Sequence, residues 1–431
     1  MEPARALYTA LGFAVLPWLP LRLWWRGRRE PGYRRDIGER FGRYNASALR
    51  PPLLWIHAVS VGETRAALPL VQRLKASYPD ATILLTHMTA TGRETGRALF
   101  GDSVVQAWLP YDLPFAVRAF LAHFRPVAGF LLETELWPNL IAQAHAADIP
   151  MFLVNARLSE RSARGYARFA SLTRPLLARL DGVAAQSDDD AARLAALGAP
   201  APVVTGNLKF DITVPDGARS LGAEFRLRFG AQRQVWVAAS TRDGEEALIL
   251  DALARTPLPR ETLLVIVPRH PQRFATVGEL LRARGVPLVR RSDNAPVPAD
   301  VGVVLGDSMG EMLAYYAAAD LAFVGGSLLP LGGQNLLEPL AAGTPVLIGP
   351  HTFNFADATA GAVAAGAALR VADADALVEA IRELFRAPAR RDTMREAAHT
   401  FHAAHRGAAD RLRDWLAPRL EPRGLSRRDL G

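Results

Sequence analysis

The chain has 431 residues, half of them apolar, with no cysteine and a formal net charge of +8. This length predicts about two domains, and the absence of cysteine excludes disulfides and thiolate metal sites and suits a reducing cytoplasm. The positive charge fits nucleic acid, an anionic membrane or an acidic substrate as partner.

The N-terminal segment, residues 6–25, is apolar and about long enough to cross a bilayer. Arginines follow at once, and no small-residue cleavage site is present, so a removed signal peptide is not expected. The segment is either an uncleaved anchor with its arginine side in the cytoplasm, or a helix lying in the interface with its tryptophans at headgroup level. A buried core helix is the third interpretation.

The first half of the chain alternates short apolar segments with amphipathic helix patterns. Continuous apolar strands separated by helices are typical of parallel sheets covered on both faces. The predicted strands are residues 53–59, 82–88, 104–110, 127–135, 151–158, 182–187 and 203–207.

The same alternation resumes after a polar stretch. The second set of predicted strands comprises residues 235–241, 263–270, 287–292, 302–308, 321–327, 345–350 and 368–373. We therefore expect an N-terminal anchor or interfacial helix over residues 1–30, a doubly wound domain over 31–209, a linker over 210–233, and a second doubly wound domain with a C-terminal helix over 234–425.

Acidic and basic residues follow several strands of the first half. In open α/β sheets ligands bind beyond the carboxyl ends of the strands. Glu63, Glu133, Glu135 and Lys209 stand at such ends, and acids with a lysine suit acid/base work on a sugar hydroxyl. In the alternative interpretation, Glu63 merely favours a helix N-terminus electrostatically.

The segment 323–350 carries the main signal of the second half. Gly332 and Gly333 precede a helix predicted to begin at Gln334, whose N–H groups would face an anion. Glu338, one turn later, could accept hydroxyl protons from a ribose. A tight turn of any α/β protein is the alternative. Other strand ends offer the Ser240 and Thr241 hydroxyls, the Arg269 guanidinium for a phosphate or base, and the backbone of Met309–Glu311.

Ordered motifs across nearly the whole chain carry a family resemblance: SVGE, ETELWP, GNLKFD, VPRH, GDSMGEM and GGQNLLEP. The chain resembles the 3-deoxy-D-manno-oct-2-ulosonate (Kdo) transferases, which add Kdo to the lipid A precursor. The resemblance implies an α/β GT-B glycosyltransferase, with two Rossmann-like doubly wound domains facing a central cleft. It also implies CMP-Kdo as donor, inversion at the anomeric carbon, and no metal or other cofactor.

The resemblance assigns roles to individual residues. It implies that Glu63 is the general base, that Glu133 is a further important acid, and that Lys209 is the family's lysine. The CMP contacts it implies are Pro268, Arg269, Met309, Gly310, Glu311, Asn335, Leu336, Leu337 and Glu338. The chain departs from the family at Gln334, where histidine is frequent.

The implied partners are CMP-Kdo, the lipid A precursor lipid IVA and the lipid surface of the bacterial inner membrane, on its cytoplasmic side, and no nucleic acid. A UDP-sugar epimerase or another lipid glycosyltransferase would share the donor-domain features, but SVGE and ETELWP argue against both. A nucleic-acid-binding protein would explain the charge and leave the acids at the strand ends unexplained.

Overall fold

The computed structural model describes residues 2–45 and 50–425. The chain divides into two units, of which unit 1 comprises Met1–Asp211 and Arg406–Gly431, and unit 2 comprises Ile212–His405. Each unit contains one seven-stranded parallel sheet, so the expected fold class of two doubly wound α/β domains is confirmed.

In the described residues, fourteen strands alternate with eighteen α-helices, and a strand lies within or overlaps every predicted segment. The strands are β1 Leu53–His57, β2 Thr82–His87, β3 Val105–Trp108, β4 Ala128–Leu132, β5 Met151–Ala156, β6 Gly182–Ala185, β7 Val203–Val204, β8 Gln234–Thr241, β9 Thr262–Pro268, β10 Leu288–Arg290, β11 Val303–Leu305, β12 Leu321–Val324, β13 Val346–Ile348 and β14 Ala368–Arg370.

The helices are α1 Pro3–Val15, α2 Leu19–Arg26, α3 Val61–Ser77, α4 Ala90–Phe100, α5 Pro114–Phe124, α6 Pro138–Ala146, α7 Glu160–Arg168, α8 Ala170–Leu177, α9 Asp188–Ala196, α10 Asp216–Phe229, α11 Glu245–Arg255, α12 Phe274–Ala283, α13 Met312–Ala318, α14 Leu337–Ala341, α15 Ala356–Ala364, α16 Ala374–Arg386, α17 Pro388–His405 and α18 Ala408–Leu420. Short 3-10 turns occur at Leu16–Trp18, Pro31–Arg34, Ile37–Phe41, Gly101–Ser103, Leu208–Phe210, Pro271–Arg273, Arg291–Asp293, Phe353–Phe355 and Glu421–Arg423.

The sheet of unit 1 has the order β3-β2-β1-β4-β5-β6-β7. Successive side chains of a strand point to opposite faces, so Leu54 and Ile56 pack in one core while Leu53 and Trp55 pack in the other. The strand order reverses between β1 and β4, which places a topological switch point, the usual ligand site of such sheets, at their carboxyl ends.

The sheet of unit 2 has the order β10-β11-β9-β8-β12-β13-β14. Trp236 and Phe323 lie in the core on one face, and Val235 and Val237 lie in the core on the other. The order reverses between β8 and β12, so this unit has a switch point of its own.

The C-terminal helix, which the sequence predicts to be part of the second domain, belongs instead to unit 1. Leu412, Leu416 and Leu420 of α18 are fully buried in the core of unit 1. The Asp211 carboxylate accepts the N–H groups of Gly407 and Ala409 at the start of this helix. The apolar stripe of α18 packs beside α3 in this core, and the end of the chain therefore belongs to unit 1.

The predicted linker over residues 210–233 is also corrected. It contains α10, in which Phe225 and Phe229 are spaced four residues apart and therefore lie on one helix face. Both are buried in a core of unit 2, and the Phe225 ring lies 5.0 Å from the ring of Tyr315. This segment is thus a structural helix of unit 2.

The N-terminal helices α1 and α2 form, with the 3-10 turn between them, one stretch from Pro3 to Arg26 that is long and apolar enough to cross a membrane. One side of α1 packs on unit 1: Thr9 is buried and its hydroxyl donates to Asn139 Oδ1 at 3.0 Å. Arg179 forms an ion pair with Glu2 at 2.8 Å. The opposite side exposes large apolar side chains, namely Leu7, Leu11, Val15, Trp18, Leu21, Trp24 and Trp25.

Candidate active site

Glu63 lies at the switch point of unit 1, in the first turn of α3. Ser60 caps this helix, since its side chain accepts the N–H of Glu63. In return, the Glu63 carboxylate accepts the Val59 N–H and the Ser60 hydroxyl, each at 2.8 Å. This reciprocal arrangement is close to a capping box, so Glu63 has a structural role in addition to any chemical one.

The Glu63 carboxyl titrates under opposing influences. Burial raises its pKa above the ordinary value, and the hydrogen bonds from Val59 and Ser60 lower it. The charge of Glu133 raises the pKa further, whereas Lys209 lowers it. A carboxylate whose pKa is raised while two donors fix its position is suited to accept a proton.

Glu133 follows β4 directly, in a left-handed conformation with φ of +58° that non-glycine residues seldom adopt. Its carboxylate pairs with Lys209 Nζ at 2.7 Å. Lys209 stands on the 3-10 turn Leu208–Phe210, whose Leu208 N–H donates to Asn155 Oδ1 at 2.9 Å. The structure therefore brings Glu63, Glu133 and Lys209 to one sheet edge.

Glu135, two residues further along the same turn, belongs to this cluster. Burial and the negative charge of Glu63 raise its pKa to about 7. The sequence placed Glu135 at the strand end but could not show its electrostatic contact with Glu63. Asn155, which holds the Lys209 turn from a left-handed position at the end of β5, was missed by the sequence reasoning altogether.

In unit 2, Pro268 ends β9 and Arg269 follows it. The Arg269 side chain donates from Nε to Gln334 Oε1 at 3.2 Å, and the backbone N–H of Arg269 donates to Thr241 O at 3.0 Å. The guanidinium therefore lies beside the glycine-rich segment after β12, where a planar donor can hold a phosphate or a base.

The helix predicted to begin at Gln334 instead begins at Leu337 and has only five residues. The Asn335 side chain occupies the Leu337 N–H through its Oδ1 and donates from Nδ2 to Glu338. The predicted helix start is therefore wrong, and so short a helix has little dipole; an anion site in this segment stays a prediction. Leu336 and Leu337 are buried, and the CMP contacts predicted for them stay a prediction.

A carboxylate of the protein itself binds the glycine turn directly after β12, at Gly325 and Gly326. Glu245 is fully buried and accepts the N–H groups of Gly326, Ser327 and Leu328 at 2.6, 3.0 and 3.0 Å. The Thr241 hydroxyl, predicted to face a ligand, instead donates to Glu246 at 2.6 Å. Glu245 and Glu246 therefore accept hydrogen bonds from groups that the sequence pattern predicts to bind a substrate.

The loop Met309–Glu311 follows β11, next to β9 in the sheet. Met309 is exposed, Gly310 has a φ of +80°, and Glu311 forms an ion pair with Arg291 at 2.9 Å. The strand order brings this loop to the same edge as Arg269. Among residues 2–45 and 50–425 no group of three or more His, Asp or Glu is placed to hold a metal ion; the expectation of a metal-free reaction stays a prediction.

The chain is similar to known proteins over nearly its whole length. The sequence profile of the family described as 3-deoxy-D-manno-octulosonic-acid transferase (kdotransferase) matches residues 35–212, and that of glycosyl transferases group 1 matches residues 269–401. A 3-deoxy-D-manno-octulosonic acid transferase of Bordetella pertussis is 47% identical over 96% of this chain and 99% of its own. The corresponding protein of Haemophilus influenzae is 40% identical over 97% of this chain and 99% of its own.

A solved structure shows the same fold at low identity. The UDP-GlcNAc 2-epimerase from Neisseria meningitidis, bound to UDP-GlcNAc, is 14% identical with a TM-score of 0.56. The match covers 85% of this chain and 99% of that protein. With the group 1 glycosyltransferase profile, this likeness confirms the GT-B fold class.

Proposed function

This chain belongs to the 3-deoxy-D-manno-octulosonic acid transferase family, and we propose that it moves Kdo from CMP-Kdo to lipid IVA in lipopolysaccharide biosynthesis. The observation that carries the proposal is the cluster at the switch point of unit 1. A carboxylate held by two donors, Glu63, lies there beside the Glu133–Lys209 ion pair.

In the proposed reaction Glu63 is the general base. It takes the proton of the acceptor hydroxyl as that oxygen attacks the anomeric carbon of Kdo from the side opposite the phosphate. This displacement inverts the anomeric centre. A positioned base of this kind accelerates a reaction by roughly 10² to 10⁴-fold.

In this scheme Glu133 stabilises the positive charge that develops on the reacting sugar, and Lys209 favours the ionised form of Glu63. An oxocarbenium-like centre develops as the bond to the leaving phosphate breaks, and a nearby carboxylate stabilises it. Lys209 lowers the pKa of Glu63, so its positive charge favours the ionised base. The ion pair thus has two effects: Glu133 stabilises the transition state, and Lys209 keeps Glu63 ionised.

Unit 2 holds the nucleotide in this proposal. Arg269 and the backbone of Met309–Glu311 bind the single phosphodiester and the cytosine, and Glu338 accepts ribose hydroxyl protons. A metal ion contributes most where charge accumulates on a leaving diphosphate. CMP carries one phosphate, which the cationic and N–H donors of this unit can stabilise without a metal.

The N-terminal helices attach the enzyme to the inner membrane from its cytoplasmic side. The Thr9–Asn139 hydrogen bond and the Glu2–Arg179 ion pair keep α1 against the protein. Its exposed apolar side then faces lipid, with Trp18, Trp24 and Trp25 at headgroup depth. We therefore favour the interfacial arrangement over a spanning one.

Mass spectrometry of the product formed from CMP-Kdo and lipid IVA tests the proposed activity. The expected product is lipid IVA carrying Kdo, formed equally well with excess EDTA, and UDP-sugars give no turnover. Turnover of a UDP-sugar without Kdo transfer would contradict the proposal, and loss of transfer on EDTA treatment would contradict its metal-independent form.

A further inference from the structure

Glu135 lies on a turn that is fixed at the switch point of unit 1. The turn runs from β4 to α6, and β4 is the neighbour of β1 in the sheet. Glu133 N–H donates to Val154 O at 3.1 Å, and Leu136 N–H donates to Thr134 O at 3.0 Å. These bonds leave the Glu135 side chain, which is partly buried, in a defined position among the acids of the cluster.

The groups that face Glu135 are mostly acidic. Glu63 comes from α3, Glu133 from the same turn, and Tyr166 from α7. The positive charge of the cluster is Lys209, which is paired with Glu133 and also acts on Glu63. The Lys209 charge is therefore shared, and the carboxyls of Glu63 and Glu135 repel one another when both are ionised.

The two carboxyls differ in their hydrogen bonds. Glu63 accepts a backbone N–H and a hydroxyl, and such bonds favour the ionised form. Within the part of the chain that the structure describes, no backbone N–H or hydroxyl donates to Glu135, and its side-chain hydrogen bond is with Trp137 alone. When neighbouring carboxyls have such different surroundings, the proton resides on the one that has fewer donors, which is Glu135.

We propose that Glu135 is a positioning residue that carries the proton of a Glu63–Glu135 pair, so that Glu63 stays ionised to receive the acceptor proton. This inference rests on the proposed base role of Glu63. The raised pKa of Glu135 agrees with it.

The proton balance of the step is simple. The acceptor O–H bond breaks as its oxygen bonds to the anomeric carbon, and the bond from that carbon to the phosphate oxygen breaks with its electron pair leaving on CMP. The acceptor proton moves to Glu63, while Glu135 keeps its own. The pair therefore changes from one negative charge to none, and a doubly charged pair is avoided.

The protonated Glu135 predicts the direction in which the stability of the folded protein changes with pH. The pKa of Glu135 is about 7 in the folded protein and is the ordinary 4.5 in the unfolded chain. Between these two values the folded state holds a proton that the unfolded state has lost. Stability therefore falls as pH rises through this window and levels off above it. Glu135→Gln, which mimics the protonated form, removes this loss.

The test compares the full-length wild type with Glu135→Gln and with Glu160→Gln, a control that removes an exposed carboxyl on α7. Thermal melts from about pH 5 to about pH 8 should show Tm of Glu135→Gln rising relative to the wild type with pH, and no such trend for Glu160→Gln. A Tm difference for Glu135→Gln that does not change with pH would overturn the proposal.

Kinetics give the second readout. Above neutral pH an ionised Glu135 repels the anionic donor, so kcat/KM of the wild type falls and that of Glu135→Gln stays level, ending at least about threefold higher near pH 8. Loss of turnover in Glu135→Gln at every pH would overturn the positioning role. Because the melts need no activity, a wild type that transfers no Kdo contradicts the proposed function and leaves the proton assignment decided by the melts.

Discussion

Lys209 Nζ lies 2.7 Å from Glu133 Oε1, and this ion pair joins the end of β4 to the 3-10 turn Leu208–Phe210. Both side chains are about one quarter exposed. Glu133 has a left-handed backbone conformation, and so does Asn155, whose side chain accepts a backbone N–H of the 3-10 turn. Strain of this kind persists where the surrounding structure fixes the backbone, and it concentrates at functional sites.

Lys209→Met should therefore lower transfer by about 10²-fold at neutral pH, since it removes a charge aimed at the reacting groups. Stability should fall by no more than about 1 kcal/mol, as for a partly exposed pair. Initial rates of Lys209→Met, Glu133→Gln and the double variant form a cycle. If the two residues act together, the double variant is no slower than the slower single one; additive losses would contradict the coupling.

Arg269→Ala and Glu338→Ala should each weaken CMP binding by roughly 1.5–3 kcal/mol, the usual range for a hydrogen bond to a charged group. Calorimetric titration with CMP measures the effect. Arg284→Ala is the matched control and should bind normally; it removes an arginine directly after α12 that pairs with Asp251 on α11. Unchanged CMP affinity in both site variants would refute this donor site.

Asp211→Ala should destabilise the protein by about 1–2 kcal/mol, because the carboxylate caps the start of α18 with several backbone donors. Denaturant unfolding measures the loss. Asp216→Ala removes an acid from the first turn of α10 that makes no cap bond, and it should cost less than about 1 kcal/mol. Equal losses in the two variants would show that α18 does not depend on this cap.

Replacing Trp18, Trp24 and Trp25 together by serine should weaken vesicle binding at least about 100-fold, since each indole contributes roughly 1 kcal/mol or more when it leaves water. Co-sedimentation with anionic vesicles measures binding. Leu227→Ser with Phe353→Ser, at exposed apolar positions of unit 2, is the control and should bind as the wild type does. Full retention by the tryptophan variant would place the attachment elsewhere.

The strands could be predicted because parallel strands buried on both faces are continuous apolar runs, as in β5, where every residue is buried. The domain boundaries could not be, because α18 returns to unit 1 through contacts with residues more than three hundred positions away, such as Leu70 and Leu74. Spacing along the chain carries no signal for such a return.

Some residues of the candidate site could likewise be predicted from the sequence, and others could not. Glu63 and Glu133 could be predicted as site residues because strand ends at a switch point meet wherever the sheet is parallel. Glu245 could not, because it becomes the internal anion of the glycine turn only after β8 and β12 pair. The start of α14 was misplaced because Asn335 caps the helix from outside it.

The base role of Glu63 is tested most directly by the turnover of Glu63→Gln with saturating CMP-Kdo and lipid IVA. Asp190→Asn is the matched control: Asp190, in the first turn of α9, accepts the hydroxyl of its cap residue Ser187 and the backbone N–H of Leu158, as Glu63 accepts a hydroxyl and a backbone N–H at α3. Thermal melts and CMP titrations accompany both variants. If Glu63 is the base, Glu63→Gln binds CMP normally and loses at least about 10²-fold in kcat, while Asp190→Asn loses little. Near wild-type turnover in a folded Glu63→Gln protein would contradict it and leave Glu63 as a capping residue.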